Sequence, residues 1–168
     1  MDPLSIAASI VALFTACDAA YRATRTIRKT VKKIKGASND IDKFADDIET
    51  YAVVIGTAQT ALEPYHSSDL RETRVLSYLR RVRGFDLLVK QSEIVNADID
   101  RYMRKICNLR GKYPLIVGYK WKFQKKEIDD ILKPAMDRAT CYLQIVMSGL
   151  TLEATFKQAP SAAADRKM

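Results

Sequence analysis

Apolar residues recur every three or four positions along most of the chain, and this spacing constrains the fold more than any other feature. In the first stretch the pattern runs through Ile10, Phe14, Cys17, Tyr21, Thr24, Ile27, Val31 and Ile34. The opposite face begins with small residues such as Ala16, and the pattern returns from Ile41 to Leu62. Such a period places the apolar side chains on one face of a helix. No segment alternates apolar and polar residues as a strand does, so the sequence predicts an all-α protein.

Glycine and proline divide this pattern into about four long helices. Gly36 is expected to end the first helix and Pro64 the second. In the third helical region Gly84 either bends the helix or breaks it in two. The last helix is expected to start near Lys120 and to be kinked near Pro134. Helices joined by short connections predict an antiparallel bundle.

The segment before the last helix lacks a helical period. Gly111, Pro114 and Gly118 interrupt it, so residues 109–118 are predicted to form a connector. Its apolar residues are expected to pack against the bundle, and these are Leu115, Ile116 and Val117.

The length of 168 residues is sufficient for one domain with a core. We predict a helical domain over residues 1–157. Residues 158–168 have no core-forming pattern and are predicted to be disordered or a linker.

The first predicted helix changes chemistry along its length. Pro3 to Cys17 carries no charge, whereas Arg22 to Lys35 carries seven cations and no acid. The candidates for membrane insertion are Leu4, Ile6, Ile10, Val11, Leu13 and Phe14. The candidates for binding anionic lipid or a partner are Arg22, Arg25, Arg28, Lys29, Lys32, Lys33 and Lys35.

The apolar half of this helix is not typical of a signal peptide or a permanent membrane span. Its cations follow the apolar run, whereas a secretory signal carries them in front. The uncharged run of 15 residues is also shorter than the ~20 residues that cross a bilayer. Pro3 to Ala20 would nevertheless reach ~27 Å as a helix, so conditional insertion is compatible with its length.

The second predicted helix has the opposite charge. Residues 39–66 carry six acids and one cation. As an antiparallel neighbour, the acidic start of this helix would lie beside the basic end of the first. The cations then either pair within the fold, at ~0–1 kcal/mol per exposed pair, or form an anion-binding surface. The sequence leaves both alternatives open.

The residues needed for catalysis are not grouped in this sequence. His66 is the only histidine, and no glycine-rich nucleotide motif occurs. Three widely spaced cysteines form neither a metal motif nor a redox motif and are typical of a reducing cytoplasm. We therefore expect no enzyme activity, metal or cofactor. The net charge of +8 favours anionic partners.

Two further groups have alternative readings. Trp121 with Phe123 is expected to anchor the core or its rim, with base or membrane stacking as the less favoured alternative. A small basic patch next to Gly84 comprises Arg80, Arg81 and Arg83. Nucleic-acid binding through basic residues is a third functional option that the sequence does not favour, because aromatics are not interleaved with these cations.

Two stretches resemble a known group of domains. Met1–Leu13 (MDPLSIAASIVAL) looks like the start of fungal HeLo-like N-terminal domains of NACHT and NB-ARC STAND receptors. This group includes the N-terminal domain named after an azaphilone pigment cluster protein. The stretch from Tyr119 to Leu143 is similar to the aromatic and basic entry of that group's final helix. No nucleotide-binding domain follows in this sequence, which departs from the receptor pattern.

The resemblance implies a signalling or effector module of fungal incompatibility or immunity. Such a bundle would self-associate on activation and attack the plasma membrane through its N-terminal helix, from a cytoplasmic location. A NACHT or NB-ARC receptor is an expected partner, and an anionic membrane surface is another. The alternative hypothesis is a helical adaptor that binds protein partners without acting on membranes.

Overall fold

The computed structural model describes residues 6–34, 37–65, 73–109 and 114–158, almost all of which are helical and none of which forms a strand. The all-α prediction is confirmed for this part of the chain. The elements are α1 (Ile6–Val31), α2 (Ser38–Leu62), a 3₁₀ turn (Glu63–Tyr65), α3 (Arg74–Arg81), α4 (Gly84–Cys107), α5 (Pro114–Glu127), a π-helical turn (Ile128–Leu132) and α6 (Lys133–Gln158).

The described residues form five helices, rather than the four predicted, when α5, the π turn and α6 are counted as one continuous helix. The extra helix arises at the predicted break, where α3 ends just before Gly84. Arg83 there has a φ of 55°, in the left-handed region that interrupts a right-handed helix. The break therefore divides the third helical region in two.

The irregularity predicted near Pro134 is a π turn. The Lys133 N–H donates to the carbonyl of Ile128, five residues earlier. Proline has no N–H, and its ring clashes with the carbonyl four residues before it. The wider turn accommodates the proline while α5 and α6 remain one helix.

Helices α1 and α2 run in opposite directions. The Cys17 Sγ donates to the Ala52 carbonyl at 3.4 Å, and farther along α1 the Arg28 guanidinium meets Asp46 at 2.7 Å. Residue numbers thus rise in α1 as they fall in α2.

Two other pairs of neighbouring long helices run in the same direction. Helix α4 runs parallel to α1, because Asn96 donates to the Ala16 carbonyl at 3.2 Å and, farther along both helices, the Cys107 Sγ lies 3.6 Å from the Thr30 hydroxyl. Helices α5 and α6 run parallel to α2 in the same way, as ion pairs of Asp40 with Lys125 and of Asp47 with Lys133 show. The described residues therefore form a helical bundle, but the predicted antiparallel packing is not confirmed as a general rule.

The predicted apolar stripe of α1 is buried in its second half, at Thr24, Ile27, Val31 and Ile34, but not throughout its first half. There the stripe placed Phe14 inward and Ala16 outward, yet Phe14 is 59% exposed while Ala16 is buried, as are Ala20 and Ala23. These small side chains let α1 lie close to α2, where a Cβ added to Gly56 would be 3.3 Å from the Cys17 Sγ. Close packing of small residues decides the orientation of α1.

Two predicted segment ends also differ from the structure. Helix α1 ends at Val31, before the predicted stop at Gly36, and a turn follows in which Lys33 and Ile34 donate to the carbonyls of Thr30 and Val31. Gln158 is still in α6, and the rest of the predicted tail, residues 159–168, lies outside the described residues.

Substitution of Ala52 by leucine tests the close approach of α1 and α2. Ala52 is completely buried against α1, so added volume should lower the free energy of unfolding by about 1–3 kcal/mol. Val53, which is 49% exposed on the same helix, provides the control, because Val53→Leu should change stability by less than about 0.5 kcal/mol. Urea denaturation measures both. Equal stability of the two variants would show that α1 and α2 are not closely packed.

Candidate functional site

The outward face of α1 forms a strip that is apolar at one end and cationic at the other. Val11 is 61% and Phe14 59% exposed, two turns or less before Asp18, the first charged residue of α1. The exposed cations that follow are Arg22, Arg25, Arg28, Lys29, Lys32 and Lys33. We call Val11, Phe14 and these cations the α1 strip.

Two cations of the strip have acidic partners. The Arg28 guanidinium contacts Asp46 at 2.7 Å and Glu49 at 2.5 Å, which links α1 to α2. Arg22 contacts Asp18 at 3.0 Å within α1. The predicted pairing between the first two helices is therefore real for Arg28.

Two other acids near the start of α2 contact the last helix instead. Asp40 contacts Lys125 of α5 at 3.1 Å. Asp47 contacts Lys133 of α6 at 3.0 Å. Lys125 holds the pKa of the Asp40 carboxyl below its ordinary value, chiefly through their hydrogen bond. These carboxylates are consequently engaged away from the α1 strip.

Four cations of the strip are left without an ion pair to any described residue: Arg25, Lys29, Lys32 and Lys33. Of the predicted cationic set, only Lys35 lies outside the described residues. Both alternatives left open by the sequence therefore apply to part of the set. Arg28 forms ion pairs within the fold, whereas these four cations are exposed to solvent.

The candidates for membrane insertion do not form a single surface. Ile10 and Leu13 are buried at 6% and 1% exposure, whereas Val11 and Phe14 point outward. Leu4 and the side chain of Ile6 lie outside the described residues. In the packed bundle, only part of the predicted apolar set can contact another molecule.

A second exposed surface, on α5, was not predicted from the sequence. Pro114 begins a helix there instead of interrupting one, and Leu115 and Ile116 are 89% and 52% exposed. Of the three connector residues that were predicted to pack against the bundle, only Val117 lies in the core. Proline at the first helical position, followed by apolar residues at 115, 119 and 123, could have revealed this helix.

The two further groups singled out in the sequence lie on other elements, in α5 and at the end of α3. Trp121 is buried in the core, as expected of an anchor, while Phe123 is 59% exposed. Arg81 stacks over Tyr78 at 5.5 Å, and Arg80 and Arg83 are exposed.

Within the described ranges, no group of three His, Cys, Asp or Glu side chains is placed to hold a metal ion. His66 lies outside those ranges. Cys17, Cys107 and Cys141 are free thiols, and burial raises the pKa of Cys17.

None of the helices that the structure describes combines the length and the apolarity needed to cross a membrane.

Comparison of the chain with protein-family models, with curated proteins and with solved structures finds no match. The resemblance of Met1–Leu13 and Tyr119–Leu143 to HeLo-like domains therefore stays a prediction.

The pKa of Asp40 tests whether the acids of α2 are engaged by the last helix. In Lys125→Met, this pKa should rise towards the ordinary carboxyl value, because the hydrogen bond to the charged form is lost. A carboxyl group whose pKa is lower in the folded state stabilises the fold at pH values above its unfolded-state pKa. This stabilisation is lost as the pH falls through the folded-state pKa. That contribution should disappear in the variant.

Carboxyl NMR titration measures the shift, and Lys29→Met serves as the control from the α1 strip. It should leave the pKa of Asp40 unchanged. An Asp40 pKa that responds to Lys29 and not to Lys125 would contradict the assigned pairing.

Proposed function

We propose that this chain is a non-enzymatic, HeLo-like helical bundle that is recruited from the cytoplasm to anionic membrane surfaces through the α1 strip. The observation that supports this proposal is a set of four cations without described acidic partners: Arg25 and Lys29 lie on the same face of α1 as exposed Val11 and Phe14, and Lys32 and Lys33 lie in the turn that follows. Each cation near an anionic leaflet contributes ~1 kcal/mol, and exposed apolar side chains can enter the headgroup region.

Recruitment does not require α1 to leave the bundle. The cations of the strip are already exposed, and so are its two apolar residues. The packed bundle can therefore bind first. Membrane attack by the segment from Pro3 to Ala20, together with self-association, would be a separate later step.

The free-energy scale of that later step is moderate. Release of α1 up to Ala20 would expose Ile10 and Leu13, at ~1.5–3 kcal/mol for each buried side chain. It would also break the bonds of Cys17 to Ala52 and of Asn96 to Ala16. Transfer of the same apolar residues into a bilayer can offset this cost. The step is thus expected only at a membrane.

A second candidate function is a helical adaptor that binds protein partners, such as a NACHT or NB-ARC receptor, without membrane activity. The observation that favours it is an exposed apolar stripe on α6 with helical spacing, formed by Tyr142, Ile145, Leu152 and Phe156. Amphipathic helix faces of this kind dock into grooves of partner proteins. Co-purification of a helical partner by wild type, with no vesicle binding, would favour the adaptor.

Charge reversal of the strip tests recruitment. The variant Arg25→Glu, Lys29→Glu, Lys32→Glu should bind phosphatidylserine vesicles at least about a hundredfold more weakly than wild type, because three attractive charges become repulsive. Vesicle co-sedimentation measures the affinity, and wild-type binding should weaken as salt rises.

The matched control is Lys43→Glu, Lys90→Glu, Arg138→Glu, which makes the same change in net charge at exposed positions outside the strip. It should lose much less affinity. If both triple variants lose affinity equally, net charge alone drives binding and the strip has no special role.

A disulfide between α1 and α2 separates recruitment from membrane attack. The distance of 3.3 Å between the Cys17 Sγ and a Cβ at Gly56 is close to that in a disulfide, so Gly56→Cys in a Cys141→Ser background should cross-link the helices on oxidation. The oxidised protein should bind anionic vesicles as wild type does but release no trapped dye, and reduction should restore release. Equal dye release by the oxidised and reduced forms would show that α1 does not leave the bundle.

A further inference from the structure

Helix α5 carries a cluster of large apolar side chains in contact with solvent. Leu115 is 89% exposed, Tyr119 66%, Phe123 59% and Ile116 52%. The Tyr119 and Phe123 rings form an edge-to-face pair with centroids 5.0 Å apart. On the opposite side of α5, Val117 and Trp121 are buried. These four exposed residues form what we call the α5 face.

The α5 face lies where α5 continues beyond its neighbouring helix. Lys125 contacts Asp40, the third residue of α2. Helix α5 has 11 residues before Lys125, a rise of ~16 Å. Helix α2 has only two residues before Asp40, a rise of ~3 Å. Most of the α5 face therefore has no counterpart on α2.

Lysines are interleaved with the apolar residues of this face. Lys120, Lys122 and Lys126 are exposed, and none of them forms an ion pair with a described residue. The single acid of α5 is Glu127, which is engaged by Lys105 at 2.7 Å. The surface is thus apolar and cationic.

The chemistry and the size of the α5 face favour a lipid surface over a protein. Aromatic and leucine side chains at the headgroup boundary, with lysines reaching the phosphates, are typical of interfacial helices. Four partly exposed side chains supply less than the ~800 Å² per partner that a stable protein interface buries.

The α5 face and the basic end of the α1 strip lie at the same end of the bundle. Arg28 contacts Asp46, and Lys125 contacts Asp40, so both helices meet the first half of α2. We propose that the α5 face is an interfacial anchor that inserts into the headgroup region of an anionic bilayer. This inference deepens the proposed function and rests on it for the class of partner.

Trp121 provides an internal reporter, because it is the only tryptophan of the chain and lies on α5. Vesicles of phosphatidylserine with dansyl-labelled phosphatidylethanolamine should quench Trp121 emission of the wild-type protein by energy transfer, which does not require contact between the buried indole and the lipid. In the variant Tyr119→Ser, Phe123→Ser, quenching should be lost and the affinity should fall at least about tenfold, since two anchoring rings are removed. Circular dichroism verifies that the variant is folded.

Two further variants make the experiment specific. Lys122→Glu, Lys126→Glu keeps all apolar residues of the face and should also bind more weakly. Leu87→Ser, Ile94→Ser removes two exposed apolar side chains from α4, outside every surface described above, and should leave binding and quenching unchanged. If this control weakens binding as much as the α5 variant does, the α5 face is not a specific anchor.

The outcomes separate this inference from the proposed function. Unquenched Trp121 and full affinity of the α5 variant, with lost binding of the α1 charge-reversal variant, would overturn the α5 anchor only. The reverse pattern would overturn the role of the α1 strip only, and absence of wild-type binding would overturn both. If wild type self-associates in sedimentation and the α5 variant is monomeric with unchanged vesicle binding, the face joins two copies and the lipid assignment is wrong.

Discussion

Close packing of α1 against α2 is the contact on which the rest of the structure depends. Ala52 and Gly56 on α2 leave room for Cys17, whose thiol reaches the Ala52 carbonyl at 3.4 Å. This approach turns the alanines of α1 inward and Phe14 outward. It also fixes which cations of α1 face solvent. The surface proposed to bind membranes is therefore a consequence of how small side chains pack on the opposite side of the same helix.

Local features of the fold could be predicted because their causes are local. The period of apolar residues specifies helices, and the effects of Gly84 and Pro134 arise within one turn of each residue. The inward face of α1 could not be deduced in this way, since Phe14 and Ala16 fit equally regular stripes. The choice between them depends on the small residues of α2, which are distant in sequence.

The electrostatic pattern of the site also depends on tertiary structure. The sequence suggested that the acids of α2 lie beside the cations of α1, but Asp40 and Asp47 contact Lys125 and Lys133 because α2 runs alongside the last helix. An exposed ion pair contributes ~0–1 kcal/mol, whereas each cation near an anionic leaflet contributes ~1 kcal/mol. Cations left without such partners are thus a more effective membrane-binding set than paired ones, and several can act together.

Hydrogen exchange of α1 at a membrane tests the central claim, that the packed bundle is the form that binds, most directly. Exchange of the α1 amides from Leu13 to Val31 would be measured in free protein and in protein bound to phosphatidylserine vesicles at low surface coverage. The account predicts that these amides exchange as slowly in the bound protein as in the free one. Loss of their protection on binding, with α4 still protected, would show that α1 leaves the bundle to bind and would contradict the account.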